Sequence, residues 1–349
     1  MLYRFRRELI AELQKEHEVV LSMPFVGHEE DFQAMGLRCI NTKIDRRGIN
    51  PRTDFKLILD YRKLLKEEHP DLVITYSIKP NIYAGLLCAV RGICYCVNVQ
   101  GLGAAFQREG LAKLVTVLYK VALRKAKRVF FENWGNAREF VSRKIIPENK
   151  VVVLNGAGVN LEEFAAKPYP DNKKVHFLYL GRFMKEKGIG ELCTAARRLH
   201  NEMGDRIMLD LVGFFDDDDC VEQINRLVAD GIASFSGFQS EPRPFYAAAD
   251  CVVMPSYHEG MSNVLLEAAA IGRPVITTNI HGCKEAVDDG KSGMLCRVKD
   301  ADDLYEKMRA IAHLSREERM AMGIAAREKM EREFDKNDVV RNSVQVLLH

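Results

Sequence analysis

Four charged side chains, in two pairs about 80 residues apart, set the chemistry open to this chain. In Cys251–Ala270, CVVMPSYHEGMSNVLLEAAA, a buried strand (Cys251–Met254) leads through a proline turn and a glycine-marked loop into a helix. Glu259 stands before that helix and Glu267 inside it, and at about 100° per residue eight positions bring both to nearly one side. Gly260 lets the backbone come close to a ligand, Ser262 is the expected N-cap, and Met261 and Asn263 complete the approach to the helix. N–H groups at such a helix start attract anions. A carboxylate for hydroxyls beside amides for phosphate suits a nucleotide sugar. The second pair lies upstream in YLGRFMKEKG (Tyr179–Gly188), where a strand (Val175–Leu180) enters a glycine turn at Gly181 carrying Arg182 and Lys187. A planar guanidinium and an ammonium beside a helix start make a diphosphate clamp. Either pair alone is as well explained by solvated surface. The two in this order are specific.

The elements that must position these groups alternate. In the first half, helices are expected over the first thirteen residues and near 29–35, 52–69, 82–91, 111–124 and 134–143. Strands fall at Glu18–Ser22, Arg38–Thr42, Asp71–Tyr76, Tyr95–Val99, Arg128–Phe131 and Val151–Leu154. The second half repeats the pattern with strands at Val175–Leu180, Ile207–Val212, Ala233–Ser236, Cys251–Met254 and Pro274–Thr278, and Gly290–Leu295 turns into an edge strand. Helices begin at Ile189, Arg243 and His281, and Ser315 with Glu318 is a capping-box pattern opening another. Strands alternating with helices mean a parallel, doubly wound sheet. Residues 1–165 are expected to form the first domain, 166–174 (rich in Pro, Asp, Asn and Lys) a linker, 175–334 the second domain, and 335–349 a closing helix.

Length and composition agree with two domains: 349 residues, 47% hydrophobic, with no apolar run long enough to cross a bilayer. Nine scattered cysteines without paired C-x-x-C spacing read as reduced core residues of a cytoplasmic protein. The aspartate run at 216–219 follows no calcium or magnesium spacing and reads as surface, so no metal site is expected. Neither domain opens with G-x-G-x-x-G, which argues against a dinucleotide cofactor, and no base-reading or stacking constellation supports nucleic-acid binding. Charge is uneven, with 26 basic against 19 acidic residues over 1–165 and 25 against 30 beyond. Within the basic half, LAKLVTVLYKVALRKAKR (Leu111–Arg128) joins an apolar face to six basic residues, the pattern of a helix lying on anionic lipid. A core-packed helix with a solvated basic face is the plainer alternative. Lys79, after a strand end where α/β sheets bind ligands, is placed to face an acceptor diphosphate. Gln100, Gly101 and Gly103 follow the next strand and permit close approach of a sugar.

In these residues the chain resembles the retaining glycosyltransferases of family 4, also called group 1. Glu259, seven residues and Glu267, together with Gly181-Arg182…Lys187-Gly188, carry the resemblance. TYSIKPNIY (Thr75–Tyr83), VQGLGAAF (Val99–Phe106), LYKVALRKAKRVFFEN (Leu118–Asn133) and NGAGVNLEEF (Asn155–Phe164) resemble a narrower group that builds capsule, O-antigen or glycan precursors on a polyprenyl diphosphate carrier. The resemblance implies the GT-B fold, two Rossmann-like doubly wound domains facing across a cleft that Gly156 and Gly158 would line, with the last helix crossing back to the first domain. It implies transfer from a UDP-sugar to a polyprenyl-diphosphate-linked saccharide, with retention and without metal or other cofactor. Arg182, Lys187 and the amides near Ser262 would stabilise the departing phosphate, Glu267 would hold ribose hydroxyls, and Glu259 the sugar's. Many members carry histidine where Gln100 stands, so any role there is hydrogen bonding rather than proton transfer. A peripheral place on the cytoplasmic face of the anionic inner membrane follows from such an acceptor. Members also carry a strand and loop ahead of LYRFRRELI, roughly ten to fifteen residues, so the first domain is expected to lack its first strand and one wall of the acceptor cleft. Two rival readings stay open: a UDP-sugar 2-epimerase of the same fold, and a catalytically silent partner of a glycan-assembly enzyme.

Overall fold

Short runs of branched apolar residues, punctuated by glycine or proline, become strands, and the amphipathic stretches between them become helices. The computed structural model describes residues 2–45, 50–102, 106 and 109–348, which divide into unit 1 (Met1–Ala157 with Asn337–His349) and unit 2 (Gly158–Lys336).

Unit 1 runs α1 (Leu2–Gln14), β1 (Val20–Met23), α2 (Glu29–Ala34), β2 (Arg38–Asn41), α3 (Pro51–Glu67), β3 (Leu72–Tyr76), α4 (Ile78–Arg91), β4 (Cys94–Val99), α5 (Glu109–Ala122), β5 (Arg128–Phe131), α6 (Trp134–Ser142) and β6 (Val151–Val153). Every pairing is parallel, but the strands form two sheets, β1-β2 and β3-β4-β5-β6. Between β1 and β3 lies a cavity of roughly 760 Å³, lined by Leu9 of α1, Leu21 and Met23 of β1, and Ile74 and Tyr76 of β3. A doubly wound sheet would place one strand at that position, so the sheet of unit 1 is interrupted where the sequence led us to expect it. Helix α1 covers the interruption. Its Leu9 and Leu13 pack with Cys96 and Phe130, and its Ile10 packs with Leu21, Met23 and Phe32.

Unit 2 runs β7 (Val175–Phe183), α7 (Ile189–Met203), β8 (Ile207–Phe215), α8 (Asp219–Ala229), β9 (Ala233–Phe235), α9 (Arg243–Ala248), β10 (Cys251–Met254), α10 (Asn263–Ile271), β11 (Val275–Thr278), β12 (Gly293–Cys296), α11 (Ala301–His313) and α12 (Arg316–Glu333). Its parallel sheet has the order β12-β11-β10-β7-β8-β9. All four residues of β10 are buried, as a central strand covered on both faces requires. The last helix, α13 (Lys336–Leu348), returns to unit 1, where Leu347 joins Leu9, Leu13, Cys96 and Phe130.

The boundary falls at Ala157/Gly158 rather than at 165, and the segment read as a linker lies on unit 2. Its carbonyls explain why. The fully buried guanidinium of Arg273 donates to Lys167 O (3.2 Å), Pro168 O and Ala247 O (both 2.8 Å). Arg327 donates to Phe164 O (3.0 Å) and Ala270 O (2.7 Å), and the Tyr169 hydroxyl donates to Asp250 O (2.6 Å). Composition marks a polar, proline-rich stretch as a linker, yet its backbone acceptors are met by the buried Arg273 and by Arg316, which donates to Tyr169 O (2.8 Å) and Pro170 O (3.0 Å). Two amphipathic helices, α8 and α11, had no place in the sequence reading. His281, expected to start a helix, precedes a single turn of 3-10 helix at Lys284–Ala286.

Candidate functional site

In an open parallel sheet, ligands bind at the carboxyl ends of the strands where strand order reverses. In unit 2 that point lies between β7, the first strand in sequence, and its neighbour β10. Of the four predicted charged residues, Arg182 lies near the end of β7, Lys187 and Glu259 lie on the segments leaving β7 and β10, and Glu267 lies in α10. Gly181 and Arg182 occupy the last turn of β7, Lys187 closes a 3-10 turn at Lys185–Lys187, and Gly188 starts α7. Pro255–Ser262 leaves β10 and enters α10.

The two segments are fastened to each other. Gly188 has φ +71°, and a Cβ there would sit 2.1 Å from Pro255 O, so only glycine lets the chains approach. Tyr257 N donates to Glu186 O (2.9 Å), and Lys187 Nζ is bonded to Glu259 Oε1. From the other side, Gly282 (φ +89°) presses on the Glu259–Gly260 backbone, where a Cβ would meet Gly260 O at 2.5 Å and Glu259 O at 2.6 Å. Ser262 N donates to Gly282 O (2.8 Å). The loop that carries Glu259 is therefore clamped between β7's exit and the turn after β11.

Charge in the site is arranged in pairs. Glu259 accepts from Lys187 and from Ser256 Oγ (2.8 Å), with the Lys187 and Glu259 side chains both mostly buried. Arg182 pairs with Asp216 (Nη1–Oδ2 2.8 Å) but is half exposed. A surface ion pair of that kind contributes only ~0–1 kcal/mol, so a diphosphate can take Asp216's place at little cost. Tyr179, fully buried beneath, donates to Arg182 O (2.8 Å), and its hydroxyl titrates well above the ordinary phenol range. Burial is the main cause, the nearby Glu259 charge adds to it, and Arg182 opposes it. An ammonium, a guanidinium and a carboxylate held by a serine hydroxyl can bind a diphosphate and orient hydroxyls.

Several expectations change on contact with this geometry. Glu259 is not on the helix, which begins at Asn263, so helical spacing does not relate it to Glu267. Glu267 is buried and already accepts from the fully buried Tyr246 hydroxyl (2.8 Å). Met261 belongs to the apolar core of unit 2, leaving only its backbone to face a ligand. Ser262 holds the N-cap position with extended backbone but makes no capping side-chain bond. Asn263 opens the helix. The aspartate run read as surface contains Arg182's partner, Asp216, and Asp217 Oδ1 accepts from Asp219 N (3.1 Å) at the start of α8. Sequence reasoning missed Ser256, Tyr246, Asp216 and Gly282. Only the last leaves a readable mark, a glycine one residue after His281. Among the described residues no cluster of three metal-ligating side chains occurs.

The remaining predicted residues lie elsewhere. Lys79 is in the first turn of α4, not in a loop, because Pro80 sits where a helix needs no N–H donor. Its ammonium is bonded to Asp54 (2.6 Å), with both side chains mostly buried. Gln100 and Gly101 follow β4, and Gly103 lies outside the described residues. Gly156 belongs to unit 1 with φ +63°, whereas Gly158 belongs to unit 2, where a Cβ would meet Lys336 Cα at 2.7 Å. On α5, Ala112, Val115, Tyr119 and Ala122 are buried, yet Leu114, Val117, Leu118 and Val121 form a second, exposed apolar stripe. Leu86 and Val90 of α4 are exposed as well. The helix ends at Ala122, so Arg124–Arg128 follow it rather than extend it. Three of those cations are bonded within unit 1, Lys125 to Ala89 O (3.0 Å), Lys127 to Leu347 O (3.2 Å) and Arg128 to Lys127 O (3.0 Å). No described helix is long and apolar enough to cross a membrane.

Known proteins resemble this chain in both units. Residues 174–313 match the model for "Glycosyl transferases group 1", and residues 2–133 match that for "Glycosyl transferase 4-like". The N,N'-diacetylbacillosaminyl-diphospho-undecaprenol alpha-1,3-N-acetylgalactosaminyltransferase of Campylobacter jejuni is 26% identical over 99% of this chain and 95% of its own length. The capsular polysaccharide biosynthesis glycosyltransferase CapM of Staphylococcus aureus is 24% identical over 83% of this chain and 79% of its own. Among solved structures, a glycosyltransferase of Rickettsia africae superposes with a TM-score of 0.78 at 19% identity over 99% of this chain and 93% of its own. Anabaena HepE in complex with UDP and glucose superposes at 0.79, with 14% identity over 97% and 95%. With every sheet parallel and one family model on each unit, the chain belongs to the group 1, family 4 glycosyltransferases of the GT-B fold.

Proposed function

We propose that this glycosyltransferase moves a sugar from a UDP-sugar to a saccharide carried on a polyprenyl diphosphate, with retention at the anomeric carbon and without a metal. The observation that carries the reading is the fastening of Lys187 to Glu259 beside Arg182 at the carboxyl ends of β7 and β10. Cleavage of the donor leaves negative charge on the departing phosphate. Lys187 and Arg182 meet it, the main electrostatic contribution to the barrier, and Glu259, released from Lys187, takes the sugar's hydroxyls. The Campylobacter relative acts on a diphospho-undecaprenol-linked sugar and HepE binds UDP, by their own descriptions. The exposed stripe of α5, with Lys113, Lys120 and Arg124 near it, supports contact with an anionic membrane surface that would carry such an acceptor.

One observation favours a second reading. His281 is bonded to Glu285 (Nδ1–Oε1 2.7 Å) next to Gly282, which presses on the Glu259 loop. A histidine–carboxylate pair there suits proton transfer on a UDP-sugar, as a 2-epimerase needs. UDP release from a panel of UDP-sugars, with and without a polyprenyl-diphosphate-linked saccharide, separates the two. Release from one donor that requires the acceptor is the expected result. Conversion of the sugar without acceptor and without net UDP release makes the enzyme an epimerase, and neither UDP release nor sugar conversion with any donor overturns both.

A further inference from the structure

In unit 1 two strand edges face each other across an opening. Among the described residues β1 pairs with β2 alone, and β3 is the outer strand of β3-β4-β5-β6. The cavity of roughly 760 Å³ between them is lined by every residue from 19 to 24 and every residue from 71 to 77. Successive side chains of a strand point to opposite faces, so a cavity that touches a whole run lies along its edge. Each edge therefore presents amides and carbonyls with no strand opposite. Protein interiors leave few voids larger than a water molecule. This one has the form of a strand.

The two strands run the same way. Tyr3 of α1 stacks on His28, beyond the end of β1, with ring centroids 4.5 Å apart. The Arg6 guanidinium lies over the ring of Tyr76, the last residue of β3, at 5.4 Å. Both carboxyl ends thus lie under the start of α1. The faces of the opening define what side chains fit it. Leu72 and Ile74 pack with Leu9 and Leu13, whereas Val73 packs in the other core with Leu65. A strand inserted here is covered on both faces and is apolar at every position. The ends define its polarity. At the amino end the exposed Glu16, Glu18 and Asp71 line the cavity, with His17 and His69 among them. Toward the carboxyl end Arg6 Nε and Thr75 Oγ1 are buried without a hydrogen-bond partner, in residues only 5% and 4% exposed that both line the cavity. Every described strand of the chain already has its place in one of the three sheets, so none of them is spare to fill the opening.

We infer that this slot takes one extended apolar segment of a second polypeptide, inserted between β1 and β3, parallel to both, with basic residues just ahead of it. Backbone hydrogen bonds to two edges supply the affinity, as in other strand additions. The apolar faces and the acidic amino-end rim supply the selection. The donor chemistry of unit 2 is not involved.

The probe is the peptide acetyl-Lys-Lys-Val-Ile-Val-Leu-Val-amide, whose apolar run is as long as β3. Titrated into the full chain, it is expected to bind and to raise the melting temperature. Amide exchange at residues 20–23 and 72–76 should slow on binding. The same peptide N-methylated at alternate apolar residues keeps its side chains but loses the donors to one edge. It should bind about tenfold more weakly or worse. Glu16→Lys/Glu18→Lys alters two exposed residues, so the variant folds, and it should weaken the unmethylated peptide several-fold. Absence of binding by the unmethylated peptide overturns the inference. Equal binding of the methylated peptide overturns it too, because the cavity would then take any apolar filler, a lipid chain included. Unchanged exchange at both edges, or equal binding to the rim variant, places the peptide elsewhere and overturns it as well.

Discussion

At the scale of single residues, the site is a set of exchangeable ion pairs. Among the described residues the half-exposed Arg182 guanidinium is tied to Asp216, so Arg182→Ala should leave the melting temperature nearly unchanged while kcat/KM for UDP-sugar falls roughly a hundredfold to a thousandfold. Lys187→Ala should cost a similar factor, because the departing phosphate loses its ammonium and Glu259 keeps only the Ser256 hydroxyl of its two bonded partners described here. Full activity in either variant would remove these cations from the reaction. Glu267 is different. Its alanine variant would leave the fully buried Tyr246 hydroxyl without its carboxylate, a cost of about 1–3 kcal/mol. Glu267→Gln preserves an acceptor, and is the variant in which turnover should fall without loss of stability. The identities of Arg182, Lys187, Glu259 and Glu267 were legible in the sequence because each stands next to a glycine turn or in a helix after a strand. Their partners were not. Asp216, Ser256 and Tyr246 reach them through tertiary contacts that no spacing rule encodes, and an aspartate run looks like surface whether or not one member is paired.

At the scale of elements, close backbone packing holds the site. Gly282→Ala would force a left-handed φ on alanine, costing ~1–2 kcal/mol, and would push against the Glu259–Gly260 backbone. The expected outcome is a lower melting temperature together with weaker UDP-sugar binding in a calorimetric titration. Unchanged binding would mean the loop is not positioned from this side. The opposite end of the sheet carries a pH-sensitive tie. His176 on β7 is bonded to Asp210 of β8 (2.7 Å), and Asp210 also accepts from Ser234 of β9 (2.7 Å). The Asp210 hydrogen bond raises the histidine's pKa, partial burial pulls the other way, and Lys174 opposes it weakly while Asp250 assists. A pKa raised on folding stabilises fully below the unfolded value of about 6.5 and is lost as pH rises through the folded value. Melting temperature should therefore decline between roughly neutral and mildly alkaline pH, and His176→Gln should flatten that decline. Strand-and-helix alternation was legible throughout, since central strands such as Cys251–Met254 are apolar at every position. Helix α8 was hidden behind its acidic start, although Cys220, Ile224 and Leu227 keep helical spacing. Helix α11 shows the same periodicity in Leu304, Tyr305, Met308 and Ile311, again behind an acidic start at Asp302 and Asp303.

At the scale of the whole molecule, the two units carry different duties. On the proposed reading unit 2 holds the donor chemistry, and unit 1 presents an exposed apolar stripe among basic residues. Each Lys or Arg near an anionic surface adds about 1 kcal/mol of attraction, and the stripe adds apolar burial. Co-sedimentation with phosphatidylglycerol-containing vesicles should therefore retain the protein, and Val117→Glu/Val121→Glu should reduce the bound fraction several-fold. Vesicles that retain the variant equally would free this face from a membrane role. The return of α13 carries a separate consequence, one for synthesis rather than catalysis. Leu347 completes a cluster begun by Leu9 and Leu13, with all of unit 2 translated in between. At about 5–20 residues per second, the early segments wait on the order of ten seconds or longer at the ribosome before that cluster can close. Unit 2, continuous in sequence, can fold first and alone. The larger core of unit 1, around Tyr119, Phe131 and Phe140, needs nothing from α13, so what waits is the apolar face of Leu9 and Leu13 alone, a natural client for a holding chaperone.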